Sequence, residues 1–276
     1  MRIKSFSKIN LSLRVLRKLK NGMHDIETNT TFVNLFDEID IKKNKKDKVI
    51  FKGQFKNKIN FKKNTITESL KLLRKLNIIK NYYMITVKKN IPVYAGLGGG
   101  TSNSASIINF FLKNRFNEKL IRIFEKKIGS DFRLFLNKCS FQKKLGNVLK
   151  TNNSIQSSLV IIFPNIDCKT KIIYKMVKDF SLSSGSCYQQ KINKKKFIEA
   201  IKQDRNDLQK IVEKKYLKIS RLLKLINKQE GCIFSRMTGS GSSCYGVFKT
   251  KKTAKFAMNK LKRKYPKYWC VITKTI

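Results

Sequence analysis

Apolar residues alternate with polar ones along the first stretch of the chain. Positions 3, 9, 11, 13 and 15 are Ile, Ile, Leu, Leu and Val, which predicts a strand over Ile3 to Val15. The same two-residue period recurs from Thr31 to Ile41, and Val49 to Phe61 reads as a lysine-rich hairpin. The period then lengthens. Apolar residues at 70, 72, 73 and 76 predict a helix from Thr67 to about Leu76, and Tyr83 to Val87 returns to strand. Ser104 to Leu112 and Glu118 to Ile128 read as helices, the second stopped by Gly129. The polar stretch KTNNSIQSS, Lys150 to Ser158, separates this half from a new apolar block, LVIIFPNI, Leu159 to Ile166. We therefore expect two domains, 1–152 and 153–276. The second half continues with a low-complexity connector, SLSSGSC, Ser181 to Cys187. Two basic helices within 194–228 follow, then a glycine-rich turn at 239–241 and a last helix and strand. Strands and helices mix without steady β-α alternation, so the expected class is α+β.

Composition narrows the picture. The 276 residues are 41% hydrophobic and include 19 Phe and 9 Tyr, enough apolar mass for a packed core despite the charge. The densest apolar runs, LVIIF and IINFFL, are far shorter than the ~20 residues of a membrane span. The N-terminal segment lacks a continuous apolar signal core, so a cytoplasmic protein with no membrane partner is expected. Cysteines at 139, 168, 187, 232, 244 and 270 form no C-x-x-C pair and are expected to be buried thiols. His24 is the sole histidine, which excludes a multi-histidine metal site. The net charge of +45 comes mostly from Lys spread among many Asn and Ile, as A/T-rich codons would supply. Polyanion binding is the alternative source of that bias, but no compact Arg-aromatic platform stands out.

The chemistry concentrates in PVYAGLGGGTSNSAS, Pro92 to Ser106. A strand, a glycine run and a hydroxyl-rich helix start make an anion site, because glycine lets backbone N–H groups approach a phosphate and the helix N-terminus adds free donors. The alternative is a flexible turn. No glycine is followed by Lys, so the Walker A pattern is absent, and neither glycine cluster completes G-x-G-x-x-G. Two further clusters accompany this loop. SFSKINLSLRV places Lys8 and Asn10 inside a strand pattern, and FSRMTGSGSSCYGVF, Phe234 to Phe248, is a second glycine-serine turn.

In this order and at these positions, the three clusters resemble the GHMP family of small-molecule kinases. NGMHDIET, the GLGGGTSN form of the loop, IGSDFRLF and RNDLQ make the chain similar to the branch that phosphorylates 4-diphosphocytidyl-2-C-methyl-D-erythritol in the non-mevalonate isoprenoid pathway. The resemblance implies a two-domain fold, a ribosomal-protein-like N-terminal domain and a ferredoxin-like C-terminal one, with ATP and substrate in the cleft between them. It implies ATP with Mg²⁺, a cytidine diphosphate sugar-alcohol as substrate, no obligate nucleic acid, and a monomer or weak homodimer. Asp131 matches the catalytic base and Lys8 the lysine beside it; the alternative for Asp131 is a helix N-cap after Gly129. Pro92, Ala95, Gly96, Leu97, Gly98, Gly99, Gly100, Thr101, Ser102 and Asn103 match the ATP loop, and no dedicated metal ligand is implied. Asn10, Met23, His24, Thr170, Tyr174, Thr238 and Gly239 match substrate-binding positions, with His24 on the cytosine edge and Tyr174 stacked on the ring. The alternative for His24 is a surface turn residue.

The chain departs from the family pattern at several of these places. Met23 stands where a tyrosine usually covers the other face of cytosine. Tyr94 and Ala95 replace glycines, Lys171 replaces a proline, and Phe132-Arg133 alters the segment after Asp131. Looser cytidine binding is the expected consequence. Two other functions remain open on sequence: a homoserine or mevalonate-type kinase, with no need of His24 and Tyr174, and a basic RNA-binding module, with no use for Asp131.

Overall fold

A computed structural model describes residues 1–60, 64–185, 188 and 192–276. It is α+β, as expected, and falls into two compact units, neither of them one continuous stretch of chain. Residues 1–8, 35–93 and 98–137 form the first unit; 9–34, 94–97 and 138–276 form the second.

Both units draw on the two longest strands, β1 (Arg2–Lys18) and β2 (His24–Asn44). Both exceed the predicted strands because their extensions are polar: Thr28, Asn29 and Thr30 are buried in β2 without giving an apolar alternation. In the first unit, β3 (Lys48–Lys52) leads into α1 (Thr65–Lys75), capped by Asn64, whose side chain accepts the Ile66 and Thr67 N–H groups. The chain returns as β4 (Tyr82–Lys88), which pairs parallel with β3 and antiparallel with β2. The expected hairpin over 49–61 is therefore corrected to one strand of a β-α-β crossover. Gly53, at φ +89° and packed against the Lys89 backbone, ends β3, and a parallel partner requires the helix in between. Phe61, the far end of that hairpin, lies outside the described residues. Helices α2 (Gly99–Leu112) and α3 (Glu118–Ile128) complete the unit. Ile39, Ile85, Val87, Leu70, Ile107, Phe124 and Phe132 meet in its core.

In the second unit β5 (Cys139–Lys144) pairs with the start of β2 and with β6 (Asn147–Lys150). The apolar block at 159 becomes β7 (Ser158–Phe163), followed by α4 (Thr170–Lys175). The stretch 194–228 holds three helices, α5 (Lys194–Gln203), α6 (Asp207–Lys215) and α7 (Leu217–Asn227), where two were expected. Asn206 makes the extra break by capping α6 through its side chain. β8 (Cys232–Met237), β9 (Cys244–Phe248), α8 (Lys251–Lys264) and β10 (Trp269–Lys274) follow, and an antiparallel sheet runs β10-β7-β9-β8. Its core gathers Val160, Ile162, Leu208, Val212, Leu222, Ile226 and Phe248. The connector has no regular structure over 181–185, and Cys187 lies outside the described residues. Among the other cysteines, 139, 168 and 244 are buried; burial pushes the Cys168, Cys232 and Cys270 thiols up to about 11, so they are not poised nucleophiles. Among the described residues, no helix is long and apolar enough to cross a membrane.

Phe124 and Phe132 are fully buried with ring centroids 5.2 Å apart. Phe124→Ala is expected to lower stability by about 3–5 kcal/mol in urea unfolding; a loss under about 1 kcal/mol would contradict this account of the core.

Candidate active site

Strand alternation positions a buried lysine in the first unit. Ile9 and its apolar partners take one face of β1, so Lys8 is turned to the other, where only 4% of its side chain is exposed. Its ammonium Nζ lies 3.3 Å from Oδ2 of Asp131, whose side chain is 39% exposed. Asp131 opens a short 3₁₀ helix, Phe132–Leu136, yet its carboxylate makes no capping hydrogen bond. The carboxylate is thus turned to Lys8 rather than used as a cap. The two residues that follow explain how it is held. Phe132 plugs the core, and Arg133 bridges to α3, donating to Glu118 at 2.7 and 2.9 Å and to Glu125 at 3.0 Å. The Arg133 guanidinium pulls the Glu118 carboxyl down to about 2.

The glycine loop enters the same neighbourhood. Gly98, at φ +70°, is the N-cap of α2, and a Cβ there would come within 2.5 Å of Phe135 and 3.4 Å of the Lys8 side chain. Glycine is therefore required, and the first N–H groups of α2 start beside Lys8 with no intrahelical acceptor. Ser102 is turned inward, its Oγ donating to the Phe6 carbonyl at 2.5 Å and lying 2.7 Å from Ser5 Oγ, which ties α2 to β1. Asn103 is buried, with no hydrogen-bond partner for its Oδ1 among the described residues. Thr101 is half-buried, Gly100 exposed, and Gly99 and Pro92 buried. Beneath Gly99, Lys89 makes a buried ion pair with Asp37, which also accepts the Asn90 and Ile91 N–H groups at 2.7 and 2.9 Å.

Residues 94–97 of the loop belong to the second unit. Tyr94 is 54% exposed and sits at φ +57°, a left-handed conformation that suits the glycine it replaces. Gly96, at φ +75°, is pressed so closely on the Thr238 carbonyl that a Cβ would overlap it, and the Ser243 N–H donates to the Ala95 carbonyl at 3.1 Å. Ala95 and Leu97 are buried. The second glycine turn thus packs against the first. Thr238 Oγ1 accepts the Asn10 N–H at 3.0 Å and donates to the Gly96 carbonyl at 3.3 Å. Asn10 is buried and gives its amide to Thr28 Oγ1 at 2.8 Å. Asn206 Nδ2 donates to both the Met237 and Gly239 carbonyls at 2.8 Å, a support that the RNDLQ motif contained but that the sequence did not assign to the turn. Thr170 pairs with Ser240, oxygen to oxygen, at 2.9 Å.

The remaining predicted residues form an aromatic group in this unit. His24 and Tyr174 rings lie 5.1 Å apart, and Phe180, which sequence reasoning missed, lies 6.5 Å from His24. Met23, the residue before His24, is 40% exposed. Burial, with a smaller contribution from Lys18, lowers the His24 pKa from its ordinary 6.5. Among the described residues, no group of three or more His, Cys, Asp or Glu side chains could hold a metal ion.

Comparison with known proteins identifies the family. Residues 64–129 match the model of the GHMP kinases N terminal domain, and residues 190–267 that of the GHMP kinases C terminal. A 4-diphosphocytidyl-2-C-methyl-D-erythritol kinase of Pelagibacter ubique is 36% identical over 286 residues, covering all of this chain and 99% of the relative. Among solved structures, a 4-(cytidine 5'-diphospho)-2C-methyl-D-erythritol kinase superposes with a TM-score of 0.78 at 19% identity, covering 99% of both chains. A homoserine kinase from Cytophaga hutchinsonii reaches 0.69 at 17% identity, over 99% of this chain and 96% of that one. At those identities the superpositions speak for the fold alone, whereas the full-length sequence match speaks for the branch. The chain belongs to the GHMP kinase family, among the 4-diphosphocytidyl-2-C-methyl-D-erythritol kinases.

Proposed function

We propose that this protein transfers the γ-phosphoryl group of ATP to the 2-hydroxyl of 4-diphosphocytidyl-2-C-methyl-D-erythritol, giving the 2-phosphate and ADP in non-mevalonate isoprenoid precursor synthesis. The observation that carries the chemistry is the buried Lys8 ammonium 3.3 Å from a half-exposed Asp131 carboxylate, next to a glycine whose backbone has no room for a side chain. Asp131 takes the proton of the attacking hydroxyl as the new P–O bond forms, and ADP leaves with the old bridging oxygen. Lys8 holds the Asp131 carboxylate in position and offsets the negative charge of the transferring group. Gly98 to Thr101 offer backbone N–H groups to the phosphates, reinforced by the N-terminal end of α2.

This cradle suits an anion, and among the described residues there is no carboxylate cluster, so Mg²⁺ would be held chiefly by the nucleotide's own phosphates and water and would neutralise phosphate charge there. His24, Tyr174 and Met23 take the cytosine, while Thr170, Thr238, Gly239 and Asn10 shape the surface around the rest of the substrate. Asn10 and Thr238 contribute shape rather than direct hydrogen bonds, since their polar atoms are engaged with each other, Thr28 and Gly96. The reaction is placed in the cytoplasm, with the enzyme a monomer or weak homodimer.

The test is ADP release from Mg-ATP with the cytidyl substrate, homoserine or mevalonate offered in turn. Turnover of the cytidyl substrate alone is expected. Asp131→Asn should lower kcat by roughly 10²–10⁴-fold with the native circular dichroism spectrum kept, and it should unfold at a lower midpoint than the wild type, because the buried Lys8 ammonium loses its counter-charge. Equal turnover of homoserine or mevalonate would overturn the substrate, and an active Asp131→Asn enzyme the base.

His24 supplies a pH prediction. Its pKa is lowered in the folded protein, so the unfolded chain takes up the proton more readily, and stability from the neutral imidazole is present at pH 7 and lost on acidification below 6.5. KM for the cytidyl substrate should accordingly be flat above pH 6.5 and rise only below it; a rise already under way above pH 7 would contradict a neutral His24 at the base.

A further inference from the structure

The segment after α4 carries an apolar ring that neither the glycine loops nor the phosphoryl chemistry uses. Phe180 is 47% exposed, although its neighbours are tightly fixed. The Ser181 N–H donates to the Val15 carbonyl at 2.8 Å, and Ser181 Oγ donates to Asp207 at 2.6 Å while accepting from Arg205 at 2.8 Å. Two residues on, Ser183 Oγ donates to the buried Glu27 at 2.6 Å, and the Ser184 N–H donates to the same carboxylate at 2.9 Å. Glu27 lies three residues after His24 on β2, so the strand that carries the imidazole also carries the carboxylate that fixes this segment. A ring held in water by a pinned backbone gains nothing from the hydrophobic effect until something covers it.

Its surroundings say what that is. The His24 and Tyr174 rings are 5.1 Å apart, a direct ring-to-ring contact that leaves no space for a third ring between them. A planar ligand therefore lies against an outer face of that pair, and Phe180, 6.5 Å from His24 and half exposed, extends the apolar surface there. Four exposed lysines, 169, 171, 175 and 178, surround Tyr174 in sequence, a charge that complements a diphosphate.

We propose that Phe180 is a specificity-determining residue that stacks on the pyrimidine ring of the substrate's cytidine diphosphate moiety. The inference rests on the cytidyl reading given above. In it Phe180 adds a further flat face to the surface that His24, Tyr174 and Met23 offer the base, from a segment outside the family's glycine motifs.

CDP binding by calorimetry, together with steady-state kinetics, tests this with Phe180→Ala and Phe180→Tyr. Phe180→Ala should weaken CDP binding and raise KM for the cytidyl substrate by about tenfold, the size of one lost stacking contact. Its kcat, its KM for ATP and its thermal midpoint should match the wild type, which separates a stacking role from a structural one. Phe180→Tyr should restore both affinities. Wild-type affinity for CDP in Phe180→Ala would overturn the inference while leaving the kinase reading intact, and so would a wild-type protein that turns over the cytidyl substrate but gains nothing from the ring. If the wild type binds CDP but turns over no cytidyl substrate, the proposed reaction fails and Phe180 is judged on CDP alone. A wild type that binds no CDP sinks the inference as well.

Discussion

A lysine inside a strand is the constraint around which the first unit is built. An ammonium almost wholly removed from water costs several kcal/mol unless an opposite charge meets it, and β1 leaves Lys8 no route to the surface, because its alternation fixes the face on which the side chain lies. Asp131 is the answer, and the surrounding structure serves to hold it there. Phe132 anchors the 3₁₀ helix in the core, Arg133 straps it to α3 through two glutamates, and the carboxylate is left free of capping duty to face the lysine. Gly98 then brings the start of α2 to the same ammonium, an approach that any Cβ would block. Carboxylate and helix N-terminus come together around the buried Lys8 ammonium.

Backbone closeness plays the corresponding part in the second unit. Gly96 and the turn at Thr238 to Gly241 interlock with no side chain between them, and buried polar groups on Asn10, Thr28, Thr238 and Asn206 satisfy one another around that contact. Such a network fixes loop geometry without exposing its own polar atoms to a ligand. Outside it, Phe180 and the lysines at 169, 171, 175 and 178 are exposed.

Much of this was legible in the sequence, for reasons that vary by residue. Helix α3 was read to its ends because its amphipathic period and the stop at Gly129 are local signals. Lys8, Asp131 and the glycine loop were visible as motifs, yet only folding shows why Gly98 admits no substitute. The reading failed where local pattern and tertiary pairing diverge. The stretch after residue 48 looks like a hairpin because alternation does not report whether a strand's partner is parallel. β2 begins seven residues before the predicted strand, at His24, since buried Thr, Asn and Glu side chains give no hydrophobic period. Phe180 carried no signal at all: one aromatic before a serine-rich run is ordinary in sequence, and its significance comes from the contacts of Ser181, Ser183 and Ser184.

The central claim is that Lys8 and Asp131 act as one unit in phosphoryl transfer. Single-turnover rates for Lys8→Met, Asp131→Asn and the double variant, each at saturating Mg-ATP, test it most directly. Groups that work as a unit lose nearly everything when either is removed, so the double variant should be about as slow as the slower single one. Losses that multiply would mean that the two residues act independently and would contradict the account.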